Sequence, residues 1–253
     1  TGGANNSIDI VVNSGSGTLA LAADIVLDSL DAGNGNGAIT ITGGVSGDGN
    51  GPFNLDILSG TGLATITGNI GVTNALASLD INAVDASTNT GGVTLGGNIG
   101  VGTTSGTTPG AGIVNLGNDD TTGVITLSGV SLNTSGALTL SSSGGYSISG
   151  TTNAGTTIVT SGDAVTFGTA TITGDVTVGE KPFAIDTDTT EATGGSAGGA
   201  ITFYGDIIGA DTGNASTNTA SDVTLDAHDA IVTVKGIGAN GSSQVDEIND
   251  ISI

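Results

Sequence analysis

Hard-cation binding is the chemistry that the side chains of this sequence suit best. Asp186-Thr187-Asp188-Thr189-Thr190-Glu191 puts three carboxylates within six residues, and Asn118-Asp119-Asp120 sets three oxygen-bearing side chains in succession. Calcium gathers about six to eight oxygens from carboxylates, carbonyls and water. Asp119, Asp120, Asp186, Asp188 and Glu191 are therefore candidate ligands, and calcium is the one candidate cofactor. Neither stretch has EF-hand spacing, and Ser46-Gly47-Asp48-Gly49-Asn50-Gly51 only faintly echoes the Gly-Gly-x-Gly-x-Asp calcium repeat. Solvated acidic turns are the competing account of both clusters.

Catalysis finds poorer material. The single histidine, His228, lies in Asp226-Ala227-His228-Asp229-Ala230, with Ser221 a few residues earlier. These are the residue types of a Ser-His-Asp triad. Alignment on the internal repeat instead sets His228 opposite Val84 of Asn82-Ala83-Val84-Asp85-Ala86, as a surface residue at a strand exit. The carboxylate pairs Asp119-Asp120 and Asp186 with Asp188 have the groups for glycoside hydrolysis. Against that, the chain offers only two Tyr, four Phe and no Trp as platforms for a sugar, and no Arg. The Gly-rich stretch Ala32-Gly33-Asn34-Gly35-Asn36-Gly37 lacks the Lys and helix start of a phosphate loop. Thr-x-Thr pairs such as Thr40-Ile41-Thr42 resemble hydroxyl arrays that order ice, but the β propensity of Thr explains them equally. Asn5, Asn133, Asn214 and Asn240 open glycosylation sequons, which chance supplies readily in so Asn- and Thr-rich a chain. No catalytic residue is assigned, and a non-enzymatic role is the expectation.

The charge balance excludes whole classes of partner. Among 253 residues there are 24 acids and two basic residues, for a net charge of −22. Phosphate backbones and anionic membrane surfaces both require Lys and Arg, so neither nucleic acid nor an anionic lipid surface is an expected partner. The absence of Cys removes disulfides and thiolate metal sites. No apolar run reaches the roughly 18 residues of a membrane-spanning helix. The chain opens Thr1-Gly2-Gly3 without Met, the expectation for a processed protein or a segment of a longer one.

The elements that must position these groups come from a repeat. An apolar or small residue, Thr or Ser, an apolar residue, any residue and Gly recur as Ile39-Thr40-Ile41-Thr42-Gly43, Ala64-Thr65-Ile66-Thr67-Gly68, Val93-Thr94-Leu95-Gly96-Gly97 and Ile125-Thr126-Leu127-Ser128-Gly129. The series continues through the glycines at 150, 174, 205 and 236, with a mean spacing near 28 residues. A second signature follows several of them: Asn69-Ile70-Gly71, Asn98-Ile99-Gly100, Asp206-Ile207-Ile208-Gly209. A second alternating segment comes next, as in Asn54-Leu55-Asp56-Ile57 and Ser78-Leu79-Asp80-Ile81. Alternation is the period of a half-buried strand, and Gly, Asn, Asp and Ser clusters supply the corners. Even Leu19 to Leu30, the best helical candidate, has apolar residues at every second position. The expected fold is all-β: one β-solenoid domain over residues 1–253, of about nine coils, with Gly102 to Gly112, Asp186 to Gly199 and Gly209 to Ser221 as corner insertions. One inward column, of Ile41, Ile66, Leu95, Leu127, Ile148, Ile172, Phe203 and Val234, is expected.

The segment Gly68-Asn69-Ile70-Gly71-Val72-Thr73-Asn74-Ala75-Leu76-Ala77-Ser78-Leu79-Asp80-Ile81 resembles the strand repeats of filamentous-haemagglutinin-like adhesins and other bacterial surface β-solenoid proteins. That resemblance, one of repeat style over most of the chain, implies secretion, a cell-surface location and adhesive or structural work. The outermost alternating strands suggest how. Ile8, Ile10 and Val12 near one end, and Ile248, Ile251 and Ile253 near the other, are expected to pair across copies into a head-to-tail homopolymer. An adhesin stalk offering loops to cell-surface or matrix components is the alternative, and a polysaccharide-acting enzyme a distant third.

Overall fold

Alternating Val, Ile and Leu with Thr, Ser and Asp gives each short segment one apolar and one polar face, and Gly or Asn corners keep the segments short. The computed structural model describes residues 7–11, 17–29, 37–83, 90–101, 109–149, 155–179, 181–188, 198–209, 221–238 and 248–253. Among these residues there is no helix. Regular structure consists of short strands, from the three residues of Ala64–Ile66 to the nine of Ile201–Gly209. Twenty of them form one sheet and two more form a small second one. Every strand pairing is parallel, an arrangement consistent with a β-solenoid.

The pairings form three parallel ladders, which the chain visits in a fixed order. In the first, Ile10, Ile41, Ile66, Leu95, Leu127, Ile148 and Val178 are successive register partners. In the second, Leu27, Ile57, Ile81, Leu116, Leu140, Phe167, Phe203 and Val234 follow one another. The third runs Leu19, Val45, Ile70, Ile99, Leu132, Ile158, Ile185, Leu225, held at Ile70 and Ile99 by single bridges rather than full strands. These columns point inward, and their middle members are fully buried in one aliphatic core. Burying each Leu or Ile contributes about 1.5–3 kcal/mol.

The expected inward column holds from Ile41 to Ile148 and then fails. Val178, not Ile172, stacks on Ile148; Ile172 is only half-buried. Phe203 and Val234 belong to the second ladder. The Gly-ended motif recurs on more than one ladder because the same inward-outward alternation serves all three, so spacing by motif alone drifts from one ladder to the next. Likewise Leu19 to Leu30 holds two strands, Thr18–Leu21 and Ile25–Asp28, on different ladders.

Corners repay the backbone groups that the turns leave unpaired. Asn69 Oδ1 accepts the Asn98 amide at 3.0 Å, and Asn98 Oδ1 accepts the Ser131 amide at 2.8 Å. The Asn-Ile-Gly signature is thus a side-chain ladder that braces one strand level against the next. Buried Thr134, Thr160 and Thr187 donate their hydroxyls to the Gly136, Asp163 and Gly199 carbonyls, and Thr134 and Thr160 are register partners. An aromatic cluster fills the interior further along: the Phe167 ring stacks on Phe203 at 4.7 Å and meets Tyr146 and Phe183 edge-on.

Candidate functional site

The two acidic corners differ in what they leave available. Asn118 is buried and folds back on its own turn: its Oδ1 accepts the Asp120 amide at 2.9 Å, and its amide donates to Thr121 Oγ1 at 2.9 Å. Asp119 is exposed and accepts a hydrogen bond from Ser141 Oγ at 3.3 Å. At the other corner, Asp186 Oδ1 accepts the Asp188 amide at 2.9 Å, and Asp188 is buried. Glu191 lies outside the described residues. Among the described residues, no three of His, Cys, Asp and Glu form a group that could hold a metal ion.

The turn at Asp186 is repeated one strand level away. Asp226 is its register partner and accepts the His228 amide at 3.0 Å, the same side-chain-capped turn. His228 is therefore a corner residue on the third ladder, with a left-handed φ of 49°. Its counterpart is Asp188 rather than Val84, since Leu225 and Ile81 stand on different ladders. The imidazole Nε2 lies 3.7 Å from the Asp229 carboxylate. The bond to Asp226 comes from the backbone of His228, which does not orient an imidazole as a triad requires.

A polar groove that sequence reasoning missed lies on the outer face of the second ladder. Asp56, Asp80 and Asn115 occupy the same outward position on successive strands. Asp80 is held on both sides, accepting from Asn115 Nδ2 at 2.6 Å and from Ser78 Oγ at 2.8 Å. Burial, with the negative charges of Asp80 and Asp24, raises the Asp56 carboxyl above its ordinary value of 3.8. These residues, with Asp119, Ser141 and Thr169, line about 560 Å³. Asp56 and Asp80 are 24 residues apart in sequence, which hides the pairing. The signal was the matching frame, Leu55-Asp56-Ile57 against Leu79-Asp80-Ile81.

The outer face of the first ladder is hydroxylated. Thr40, Thr65, Thr94, Thr126, Ser147 and Thr177 are successive register partners there, and Ile208 ends the row. A second groove, of about 450 Å³, crosses this face between Val124 and Ile208.

The residues expected to mediate assembly sit on the outermost described strands. Ile8 and Ile10 at one end, with Ile248 and Ile251 at the other, are only half-buried against the core. Ile253 is 76% exposed, whereas Ile41, Ile66 and Leu127 in the interior are at 0%. Val12 lies outside the described residues. No described helix is long and apolar enough to cross a membrane. In comparisons with known proteins, the chain matches no family model, no curated protein and no solved structure.

Proposed function

We propose that this chain is a non-enzymatic structural protein of the bacterial cell surface: a β-solenoid of about nine coils whose copies stack head to tail into an extracellular filament. One observation carries the reading. Among the described residues, most of the apolar side chains that are only partly buried against the core lie on the outermost strands: Ile8, Ile10, Leu19, Ile25 and Leu27 on one side, and Val232, Val234, Ile248 and Ile251 on the other, with Phe53 and Ala230 besides. Among the described residues, each outermost strand has a strand partner on one side. A second copy answers both needs, because strand addition pairs the edges while the stacked side chains extend the core. A contact between unlike ends propagates as an open fibre unless rotation closes it. Calcium at the acidic corners belongs to this proposal as a brace between like charges, with no catalytic part.

Negative-stain microscopy of the purified chain tests the reading. Uniform fibres are expected, and removing residues 246–253 should leave short soluble rods of monomer mass. Short separate rods from the intact chain at every concentration would instead favour a stalk that presents its loops. Fibres that survive the truncation unchanged would replace end-to-end pairing with lateral contact.

A further inference from the structure

One corner of the rod combines an exposed side-chain amide, a glycine directly after it and a stretch of backbone outside the ladders. We propose that Asn50 is a site of spontaneous deamidation, in which the Gly51 nitrogen closes on the Asn50 side chain, and that the product loosens the corner between the third ladder and the second. Neither the chemistry nor its test needs a second copy of the chain.

Asn50 lies in Asp48-Gly49-Asn50-Gly51-Pro52-Phe53, between Gly44–Gly47 on the third ladder and Asn54–Leu58 on the second. Both ends of this corner are fastened. The Asp48 amide donates to the Leu21 carbonyl at 3.0 Å, Asn74 Nδ2 to the Gly47 carbonyl at 3.1 Å, and the Asn54 amide to Asp24 Oδ1 at 2.9 Å. Between them Asn50 is exposed, and no hydrogen bond joins the Gly51 amide to another described residue. A Cβ on Gly51 would meet nothing nearer than Phe53 Cζ at 3.9 Å, so the nitrogen stands in open space with no side chain of its own to shield it. Among the described residues, Asn50 is the one asparagine followed by glycine. Asn69 and Asn98 precede Ile, Asn115 precedes Leu, and all three side chains are engaged in the bracing between strand levels.

Ring closure is favoured because the two reacting groups are held in one short piece of chain, and asparagine is accordingly a thermolabile residue. A base takes the proton of the Gly51 amide. The nitrogen attacks Asn50 Cγ, the Cγ–Nδ2 bond breaks, and Nδ2 takes a proton from water and leaves as ammonia. Water then opens the cyclic imide at either carbonyl. Opening at the side-chain carbonyl gives aspartate on the ordinary backbone. Opening at the backbone carbonyl gives isoaspartate, whose backbone is one methylene longer. Either product carries a new carboxylate.

The neighbour that feels the change is Asp48. Its Oδ1 accepts the Asn50 amide at 2.8 Å and its Oδ2 accepts Asn50 Nδ2 at 2.7 Å. These bonds hold the Asp48 carboxyl below its usual value, so it is ionised at neutral pH. Deamidation removes the Nδ2 donor, and two like charges then face each other where a hydrogen bond stood. The added methylene falls between Gly49 and Pro52, outside the paired strands. The strands on either side can keep their register while the corner opens.

Peptide mapping of the intact chain, aged in mildly alkaline buffer, tests the assignment. A protease that cuts before aspartate releases residues 48–55. This peptide should progressively gain the mass difference between NH2 and OH, with fragmentation placing the change at Asn50 and isoaspartate in excess over aspartate. Conversion should slow several-fold in mildly acidic buffer, where less of the amide is deprotonated, and several-fold in Gly51→Val, whose branched side chain crowds the nitrogen. In Asn50→Asp, backbone hydrogen exchange across residues 48–55 should quicken relative to the parent, and the difference should close in acid, where the carboxylates are protonated. Residues 48–55 left intact in the protein while a synthetic peptide of that sequence reacts in the same buffer would overturn the site. Aspartate as the sole product would overturn the ring closure, and unchanged exchange in Asn50→Asp would overturn the loosening of the corner.

Discussion

Asp56 is the residue at which the regular stacking of strands works against itself. Parallel register sets its carboxylate beside that of Asp80, one strand level away, and like charges in neighbouring strands repel. Asp80 accepts hydrogen bonds from Asn115 Nδ2 and Ser78 Oγ, while the pKa of Asp56 is raised, first by burial and then by the charges of Asp80 and Asp24. A carboxyl whose folded pKa lies above its unfolded value binds its proton more tightly when folded. Its stabilising influence is present at low pH and is lost as pH rises through the folded pKa. Asp56→Asn should therefore raise the melting temperature at pH 7, and the gain should vanish as pH falls below the ordinary carboxylate range. Asn115, which occupies the equivalent place on the far side of Asp80, already shows the amide solution. Equal melting temperatures for the variant and the parent at pH 7 would mean that water screens the pair fully. Asp48 makes the contrast: hydrogen bonds from the Asn50 backbone and side-chain amides hold its carboxyl below the usual value.

At the scale of elements, the strands were legible and their assignment to ladders was not. Strict alternation in Ile39-Thr40-Ile41-Thr42 and Ser78-Leu79-Asp80-Ile81 marks both strand and inward face, and the structure keeps both. What alternation lacks is a label for which ladder a strand joins, so a single column drawn through the repeat takes in Phe203 and Val234, which lie on the second ladder. The third ladder was hardest to see because Ile70 and Ile99 contribute isolated bridges, too short for a period to register. The groove at Asp56 and Asp80 was hidden for a related reason, since its members meet only once the register of successive strands is known. Recurrent Gly, conspicuous in the sequence, has a steric origin. A Cβ on Gly68 would fall 2.0 Å from the Gly43 carbonyl carbon and oxygen, and one on Gly97 only 2.1 Å from the Gly68 oxygen. Each glycine thus admits the backbone of the neighbouring strand level, which cannot move without parting the ladder. Gly68→Ala should cost about 1–3 kcal/mol, the range for overpacking, read as a lower denaturation midpoint. Thr65→Ala, at a half-exposed outward site nearby, should shift stability by no more than about 0.5 kcal/mol.

For the whole molecule, charge and cohesion oppose each other. The net charge of −22 lies on a rod whose interior is almost wholly aliphatic. In the proposed filament, stacking copies would bring more of that charge together, while the gain from covering the end residues would be hydrophobic and insensitive to modest salt. Exposed charges more than a Debye length apart are screened, and that length falls from about 10 Å at 0.1 M to about 3 Å at 1 M salt. Raising sodium chloride across that range should therefore lower the concentration at which fibres first form, with a parallel rise in the melting temperature of the monomeric rod. The calcium proposal adds a separate expectation, because an ion held by corner carboxylates works by coordination as well as by screening. If calcium braces the corners, a chelator at fixed ionic strength should lower the melting temperature, and stoichiometric calcium should restore it where the same ionic strength of sodium does not. If the curve is unmoved by chelator but still rises with sodium chloride, the acidic corners act as solvated turns and repulsion is relieved by screening alone. A melting temperature and an assembly threshold that both ignore salt would show that the 24 acids are too dispersed over the surface to govern stacking. Covering the end residues would then decide assembly without opposition from charge.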